Sequence, residues 1–299
     1  MNIVFCLDKN LLNSLKVIIN SILENTDRQV NFYVICPEKE NIIFANYIIN
    51  NINAKINLGN FNPSQQILDL LEPNTYYNDS KLSNFTRLNI KKVFPELKKI
   101  IYLDTDMVVL DDIGELWDSV EFDENNFFAS PQYNWLFYFK IFYFKKLDYY
   151  FSYLNSNTKF FNGGVFLTDL TYWNENLDSK IYEHTHFVLN HKFTHQFTEP
   201  IMNGVFDNFI PLESTWNCSG YGNKLLYPLI KLRDFNIIPK IIHWSGPIKP
   251  WHFNDVYKQE LWSYYNNEMI IENDDDCDLF SWIKFFIIKA FNLFKYKEE

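Results

Sequence analysis

The sequence predicts an α/β fold built on a mostly parallel, twisted sheet. Three observations lead there. Short apolar runs alternate with helix-spaced segments through the first hundred residues, acidic residues close two of those runs, and 299 residues suffice to bury a full core. NIVFCL (2–7) is an apolar run ending at Asp8, after which Leu11, Leu12, Leu15, Ile18, Ile19 and Ile22 recur at helical spacing. NFYVIC (31–36) reads as a second strand closed by Pro37, and Ile42, Ile43, Ala45, Ile48 and Ile49 continue as a helix. AKINLG (54–59) and KKIIYL (98–103) read as the third and fourth strands. This alternation argues for βαβ crossovers, and ligands of such sheets sit outside the carboxyl ends of the strands. Asp8 and the acidic turn after Leu103 both fall at such ends.

The middle of the chain changes character. Residues 133–154 are crowded with Tyr and Phe, which suggests an aromatic helical insertion or lid. FFNGGVFLTDL (160–170) is a strand with two adjacent glycines, followed by a helix from Tyr172 to about Leu189. IIPKIIHWSGPIKPWH (237–252) is a strand running into a loop punctuated by Pro and Gly, and a helical stretch follows Glu260. The chain therefore divides into a main domain, 1–270, and a segment 271–299 that holds the acidic break Asp274–Asp276 and an amphipathic tail. In the tail, Trp282, Ile283, Phe286, Ile287 and Phe291 lie within one apolar arc, with Ser281, Lys284, Asn292 and Lys295 opposite. A final core helix would show this pattern. The preceding acidic break and the mixture of Trp with lysines favour a helix lying in a membrane interface.

Composition excludes several classes. A formal net charge of −10 argues against a nucleic-acid partner, because phosphate neutralisation requires a basic face. Cys6, Cys36, Cys218 and Cys277 are far apart and form no C-x-x-C pair, which disfavours a disulfide framework or a zinc site. The N-terminus reaches Asp8 and Lys9 too early for a signal peptide, so a cytoplasmic protein is expected, attached peripherally to the inner face of the cytoplasmic membrane through the tail.

The residues best suited to chemistry lie in two motifs. In IIYLDTDMVVLDD (100–112), Asp104 and Asp106 stand one residue apart directly after an apolar strand. Such a pair can turn towards one cation, and carboxylate oxygens suit Mg²⁺ or Mn²⁺; the bland alternative is a solvated turn. In HWSGPIKPWH (243–252), His243 ends a strand, Gly246 permits close backbone approach, and Lys249 offers a cation on a loop stiffened by Pro247 and Pro250. An imidazole added to two carboxylates favours Mn²⁺ over Mg²⁺.

Taken together and in order, FCLDKN near the start, LSNFTRLNI (82–90), YLDTDMVV, FFNGGVFLTDL, TEPIMNGVF (198–206) and HWSGPIKPWH resemble glycosyltransferase family 8, over residues 1 to about 255. Within that family the motifs resemble bacterial lipooligosaccharide galactosyl- or glucosyltransferases. The resemblance implies a GT-A type nucleotide-sugar-binding fold and a retaining transfer of a hexose from a UDP-sugar donor to a glycan or glycolipid acceptor. It implies that Asp8 and Asn10 meet the nucleobase, Arg87, Asn162 and Gly163 the donor sugar, and Gly246 and Lys249 the diphosphate. Asp104, Asp106 and His243 would hold Mn²⁺, with Mg²⁺ as the substitute, and Asp104 would also face the donor. Arg87, Asn162 and Glu199 are the residues expected nearest the reacting carbon.

Two departures stand out. Leu11 replaces a Tyr common in bacterial members, and Glu199-Pro200 replaces the usual acid- and Gln-rich sequence, with Glu199 where a Gln is frequent. Glu199 is either a sugar ligand and stabiliser of oxocarbenium charge, or a helix-start acid beside Pro200. Loss of the diphosphate builds negative charge that Mn²⁺ and Lys249 would stabilise, whether retention comes from front-face attack or double displacement.

Two other classes compete. A haloacid-dehalogenase-type phosphohydrolase would use Asp104 as nucleophile and Asp106 as acid/base, but leaves the His243–Lys249 loop unexplained. A degenerate, non-catalytic sugar-nucleotide-binding protein would accommodate Leu11 and Pro200. None of these motifs bears on oligomeric state.

Overall fold

A computed structural model describes residues 1–61, 85–122, 127–131, 160–190, 198–253 and 255–267. The aromatic-rich stretch 133–154, the acidic break and the tail lie outside the described residues. The strands are β1 (Asn2–Cys6), β2 (Asn31–Cys36), β3 (Ile56–Asn60), β4 (Lys99–Leu103), β5 (Met107–Val109), β6 (Phe127–Pro131), β7 (Phe161–Asp169), β8 (Ile210–Pro211) and β9 (Ile241–His243). Seven form one sheet in the order β3-β2-β1-β4-β7-β6-β8, and β5 and β9 form a separate ladder. The strands β3, β2, β1 and β4 pair in parallel, whereas β7 runs antiparallel to both β4 and β6. The mixed α/β class and mostly parallel sheet follow the sequence expectation.

Alternation along the central strands explains why the sheet is buried on both faces. Ile3, Phe5, Ile101 and Leu103 join one apolar layer with Leu15, Ile18 and Ile22 of the Leu12–Asn25 helix. Val4, Cys6, Ile100 and Tyr102 point into the opposite layer, with Phe161, Phe166, Ile201 and Met202. Side chains two residues apart share a face, so each strand feeds both layers. Cys6, Cys36 and Cys218 are buried free thiols, consistent with core filling. Burial pushes Cys6 and Cys36 up to about 12 and Cys218 up to about 11.

Several local expectations shift. The helix expected from Tyr172 begins instead at Glu175. Asp169 first caps a 3₁₀ turn, Leu170–Tyr172, by accepting from Thr171 N, and the Asn174 side chain then accepts from Asn176 N at 3.0 Å. Only Ile241–His243 of the 237–252 segment is a strand, because Ile237 closes a helix, Tyr227–Asn236, that the sequence reading did not identify. Among the described residues, no helix is long and apolar enough to cross a membrane.

Candidate active site

The site forms where β4 and β7 hand over to the β5–β9 ladder. Asp104 follows β4 directly, and its backbone N donates to Gly164 O of the neighbouring β7 at 2.8 Å. The chain then turns into β5, whose Met107 pairs with His243 of β9. Trp244 N donates to the Asp106 carbonyl at 2.9 Å, so the residue before β5 and the residue after β9 are tied together. As a result Asp104, Asp106 and His243 each bring a ligand atom within 4.8 Å of the others. Two carboxylates and an imidazole at this spacing are a donor set that fits a divalent cation.

Each member is held from behind. Arg87 is buried, and its Nη2 lies 2.9 Å from Asp104 Oδ1 while Nη1 donates to Gly163 O at 2.8 Å. Its guanidinium also stands 4.9 Å from the centre of the Tyr102 ring, and Tyr102 OH donates to the same Asp104 oxygen at 2.8 Å. Burial opposes the Arg87 charge, but Asp104, Tyr102 and Cys6 together outweigh it and hold its pKa above the ordinary value. On the other side, His243 Nε2 is 3.1 Å from Asp106 Oδ1, and Lys249 Nζ donates to Asp106 Oδ2 and, at 2.8 Å, to Trp244 O. Burial pushes the Asp106 carboxyl up, yet Lys249 and His243 outweigh it and hold it far below the usual carboxylate range.

The loop carrying Lys249 is locked to a second loop. Gly246 has φ +121°, a left-handed conformation that favours glycine, and a Cβ there would meet Gly222 O at 2.6 Å. Ile248 N donates to Gly222 O at 3.1 Å and Ser245 Oγ accepts from Gly220 N at 2.8 Å. Gly246 is therefore required by loop packing, whatever else it touches.

The sugar-side residues converge as well. Asn162 lies on β7, and its Nδ2 donates to Glu199 Oε1 at 3.0 Å. Glu199 stands in the first turn of the Thr198–Val205 helix, beside Pro200, as the helix-start reading expects, and it also faces the site. Burial pushes its carboxyl up to about 7, against the lowering effects of Arg87, Asn162 and the Gly163 amide. Asp8, by contrast, is buried and spends Oδ1 as the cap of the Lys9–Leu11 turn, accepting from Asn10 N at 2.8 Å. Buried Glu40 accepts from Lys9 N at 2.8 Å and steadies the same turn, which leaves Asn10 exposed. Glu40 and Asn217 were not among the sequence candidates. Asn217 Oδ1 lies 2.9 Å from His243 Nδ1, and its Nδ2 donates to Asn162 Oδ1 at 3.0 Å.

A mixed α/β sheet thus carries a carboxylate–imidazole cluster at the end of its central strand. Residues 2–255 match Glycosyl transferase family 8, and the chain belongs to that family: it is a glycosyltransferase. It is 27% identical over 196 residues to "Probable galacturonosyltransferase-like 3" of Arabidopsis thaliana, covering 61% of this chain and 55% of that protein. The chain thus spans about half the length of that relative. It is 25% identical over 293 residues to human "Glycosyltransferase 8 domain-containing protein 2", covering 87% of this chain and 80% of that protein. Its fold is similar to the crystal structure of the galactosyltransferase LgtC in complex with donor and acceptor sugar analogs. The TM-score is 0.67 at 21% identity, covering 89% of this chain and 95% of that one. It is likewise similar to an active-site Gln-to-Glu mutant of LgtC, with TM-score 0.66 at 22% identity over 89% of this chain and 95% of that one.

Proposed function

We propose that this glycosyltransferase is a retaining hexosyltransferase that moves galactose or glucose from a UDP-sugar to a glycan or glycolipid acceptor, using Mn²⁺. The observation that carries the reading is the convergence of Asp104, Asp106 and His243, with Lys249 against the same carboxylate. These three residues would hold the ion, and the imidazole favours Mn²⁺ over Mg²⁺. When bound, a divalent ion supplies countercharge for the departing diphosphate. The Lys249 ammonium, on a flexible stem, adds a second positive charge for that group. Asp8 and the exposed Asn10 turn lie at the carboxyl end of β1, where the nucleobase would bind.

At the sugar, Arg87 fixes both Asp104 and the Gly163 carbonyl, so it shapes the wall of the site from a buried position. Asn162 orients Glu199. An ionised Glu199 would stabilise positive charge developing at the anomeric carbon. The likeness to LgtC, whose crystal structure holds donor and acceptor sugar analogs, supports a sugar acceptor.

A membrane-presented acceptor is supported by the amphipathic sequence of 278–299 and by a second feature. In residues 228–238 the exposed side chains are Pro228, Leu229, Lys231, Leu232, Phe235, Asn236 and Ile238, with no acid among them, on a protein of net charge −10. An acid-free apolar face suits an anionic lipid interface. The test of the activity is release of UDP from UDP-galactose, UDP-glucose and UDP-N-acetylhexosamines with Mn²⁺ or EDTA. Mn²⁺-dependent turnover of a UDP-hexose supports the reading, and no turnover of any donor with Mn²⁺ contradicts it.

A further inference from the structure

We infer that Asn217 is a positioning residue for the metal centre: it holds His243 in the tautomer that presents Nε2 as the ligand nitrogen. The inference rests on the metal-dependent reading above and adds a residue which that reading does not use. The argument starts from a backbone amide. An N–H of the main chain can only donate, so the Asn162 atom lying 3.0 Å from Gly164 N must be the amide oxygen. The Asn162 amino group therefore faces Glu199 Oε1, at 3.0 Å, where an acceptor stands. The same Asn162 oxygen lies 3.0 Å from the Asn217 amide, which must then present its amino group. That leaves Asn217 Oδ1 facing His243 Nδ1 at 2.9 Å. An amide oxygen only accepts, so Nδ1 carries the proton.

An imidazole that ligates a metal is neutral and has one N–H; with that proton on Nδ1, Nε2 presents its lone pair, 3.1 Å from Asp106 Oδ1. One divalent ion beside both atoms would be shared by the two, with Asp104 as the third donor. The relay thus points every bond in one direction, from His243 through Asn217 and Asn162 to Glu199, and the Gly164 amide sets that direction. Flipping Asn217 would set oxygen against oxygen at Asn162. Water has little access to substitute for the amide, because Asn217 is 6% exposed and His243 2%. The backbone fixes the spacing: Cys218 N donates to Ile241 O and His243 N to Cys218 O, both at 3.0 Å, so Asn217 cannot drift from β9. Partners behind a ligating His commonly govern metal affinity by 10–100-fold.

The test is a Mn²⁺ titration of the full chain without donor, read by the electron paramagnetic resonance of free Mn²⁺, on wild type, Asn217→Leu and the isosteric Asn217→Asp. Asn217→Leu is expected to weaken Mn²⁺ binding at least tenfold. Asn217→Asp retains an acceptor for Nδ1–H but no donor for Asn162. It is expected to keep Mn²⁺ affinity within a few-fold while kcat falls and donor KM holds. Unchanged Mn²⁺ affinity in Asn217→Leu overturns the inference, as does a tenfold loss in Asn217→Asp. Should Asn217→Leu fold poorly, ¹⁵N NMR of the wild-type protein loaded with diamagnetic Zn²⁺ decides independently. A proton on His243 Nδ1 with metal on Nε2 is expected, and the reverse overturns the inference. A wild-type chain that binds no Mn²⁺ contradicts the metal-dependent reading itself, a result distinct from either.

Discussion

Met107 and His243 face one another across the three-residue β5–β9 ladder, and this register sets an imidazole beside Asp106. The space behind the pair is filled. A Cβ on Gly164 would lie 2.6 Å from His243 Cε1, 2.8 Å from Met107 Cε and 2.9 Å from Asn162 Oδ1. Gly164→Ala is therefore expected to displace the imidazole and the Asn162 amide together, at a strain of about 1–3 kcal/mol. Calorimetric Mn²⁺ titration should show at least a tenfold loss of affinity with a modest fall in Tm. Unchanged affinity would mean that His243 is not a ligand or that the sheet yields freely.

Arg87 and Asp104 form a partly buried ion pair, with side-chain exposures of 6% and 23%. Removing one member of a fully buried pair costs about 3–5 kcal/mol, and the partial exposure of Asp104 brings this to roughly 1–3 kcal/mol. Arg87→Leu should lower stability by roughly that amount in urea unfolding and abolish activity. A stability loss well under about 1 kcal/mol would show that Arg87 is not a structural partner of Asp104.

Glu199 carries a pH signature. Its carboxyl is raised from 4.5 to about 7 in the folded protein, chiefly by burial. If the carboxylate acts on developing positive charge, kcat rises with pH through about 7 and levels above it. Glu199→Gln should lower kcat on the order of 10²-fold with little change in donor KM, and flatten that limb. Stability runs the other way. With the folded pKa above the unfolded one, the proton-linked contribution is fully present below about 4.5 and is lost as pH rises through about 7. Its size is on the order of 3 kcal/mol, and Glu199→Gln should remove the dependence. Equal turnover in Glu199→Gln at all pH values would make Glu199 a helix-start residue alone.

The sequence reveals those features that depend on local pattern. β1, β2 and β4 are legible because each is an apolar run buried on both faces, and Asp104, Asp106 and His243 because their residue types follow strand ends. β5 and β8 are too short to show a period, and they exist only through pairing with β9 and β6. The Tyr227–Asn236 helix hides because Leu229, Leu232 and Phe235 are exposed, at 57%, 62% and 88%, so its apolar pattern does not mark a core face. Asn217 carries no local signal at all. Its significance is a contact with a residue 26 positions away. The family resemblance correctly names the fold and the transferase class, whereas Gly246 acquires a packing role against Gly222 that no linear motif displays.

The exposed 228–238 face and the tail bear on the membrane reading separately. Phe235→Ser with Ile238→Ser should reduce co-sedimentation with anionic vesicles several-fold without altering Tm, since both side chains are more than four-fifths exposed. Deleting 278–299 should reduce it further while UDP-hexose hydrolysis persists. Sedimentation equal to wild type in both variants contradicts membrane attachment, and unfolding of the truncated chain marks the tail as core.

The central claim is that Asp104, Asp106 and His243 hold a catalytic divalent ion. Its most direct measurement is UDP release from a UDP-hexose by wild type and Asp106→Ala, each with Mn²⁺ and with EDTA, alongside circular dichroism to confirm the fold. The account predicts turnover only for wild type with Mn²⁺, and a loss of at least 10³-fold in order of magnitude for Asp106→Ala. Full turnover in EDTA, or in Asp106→Ala, would contradict it.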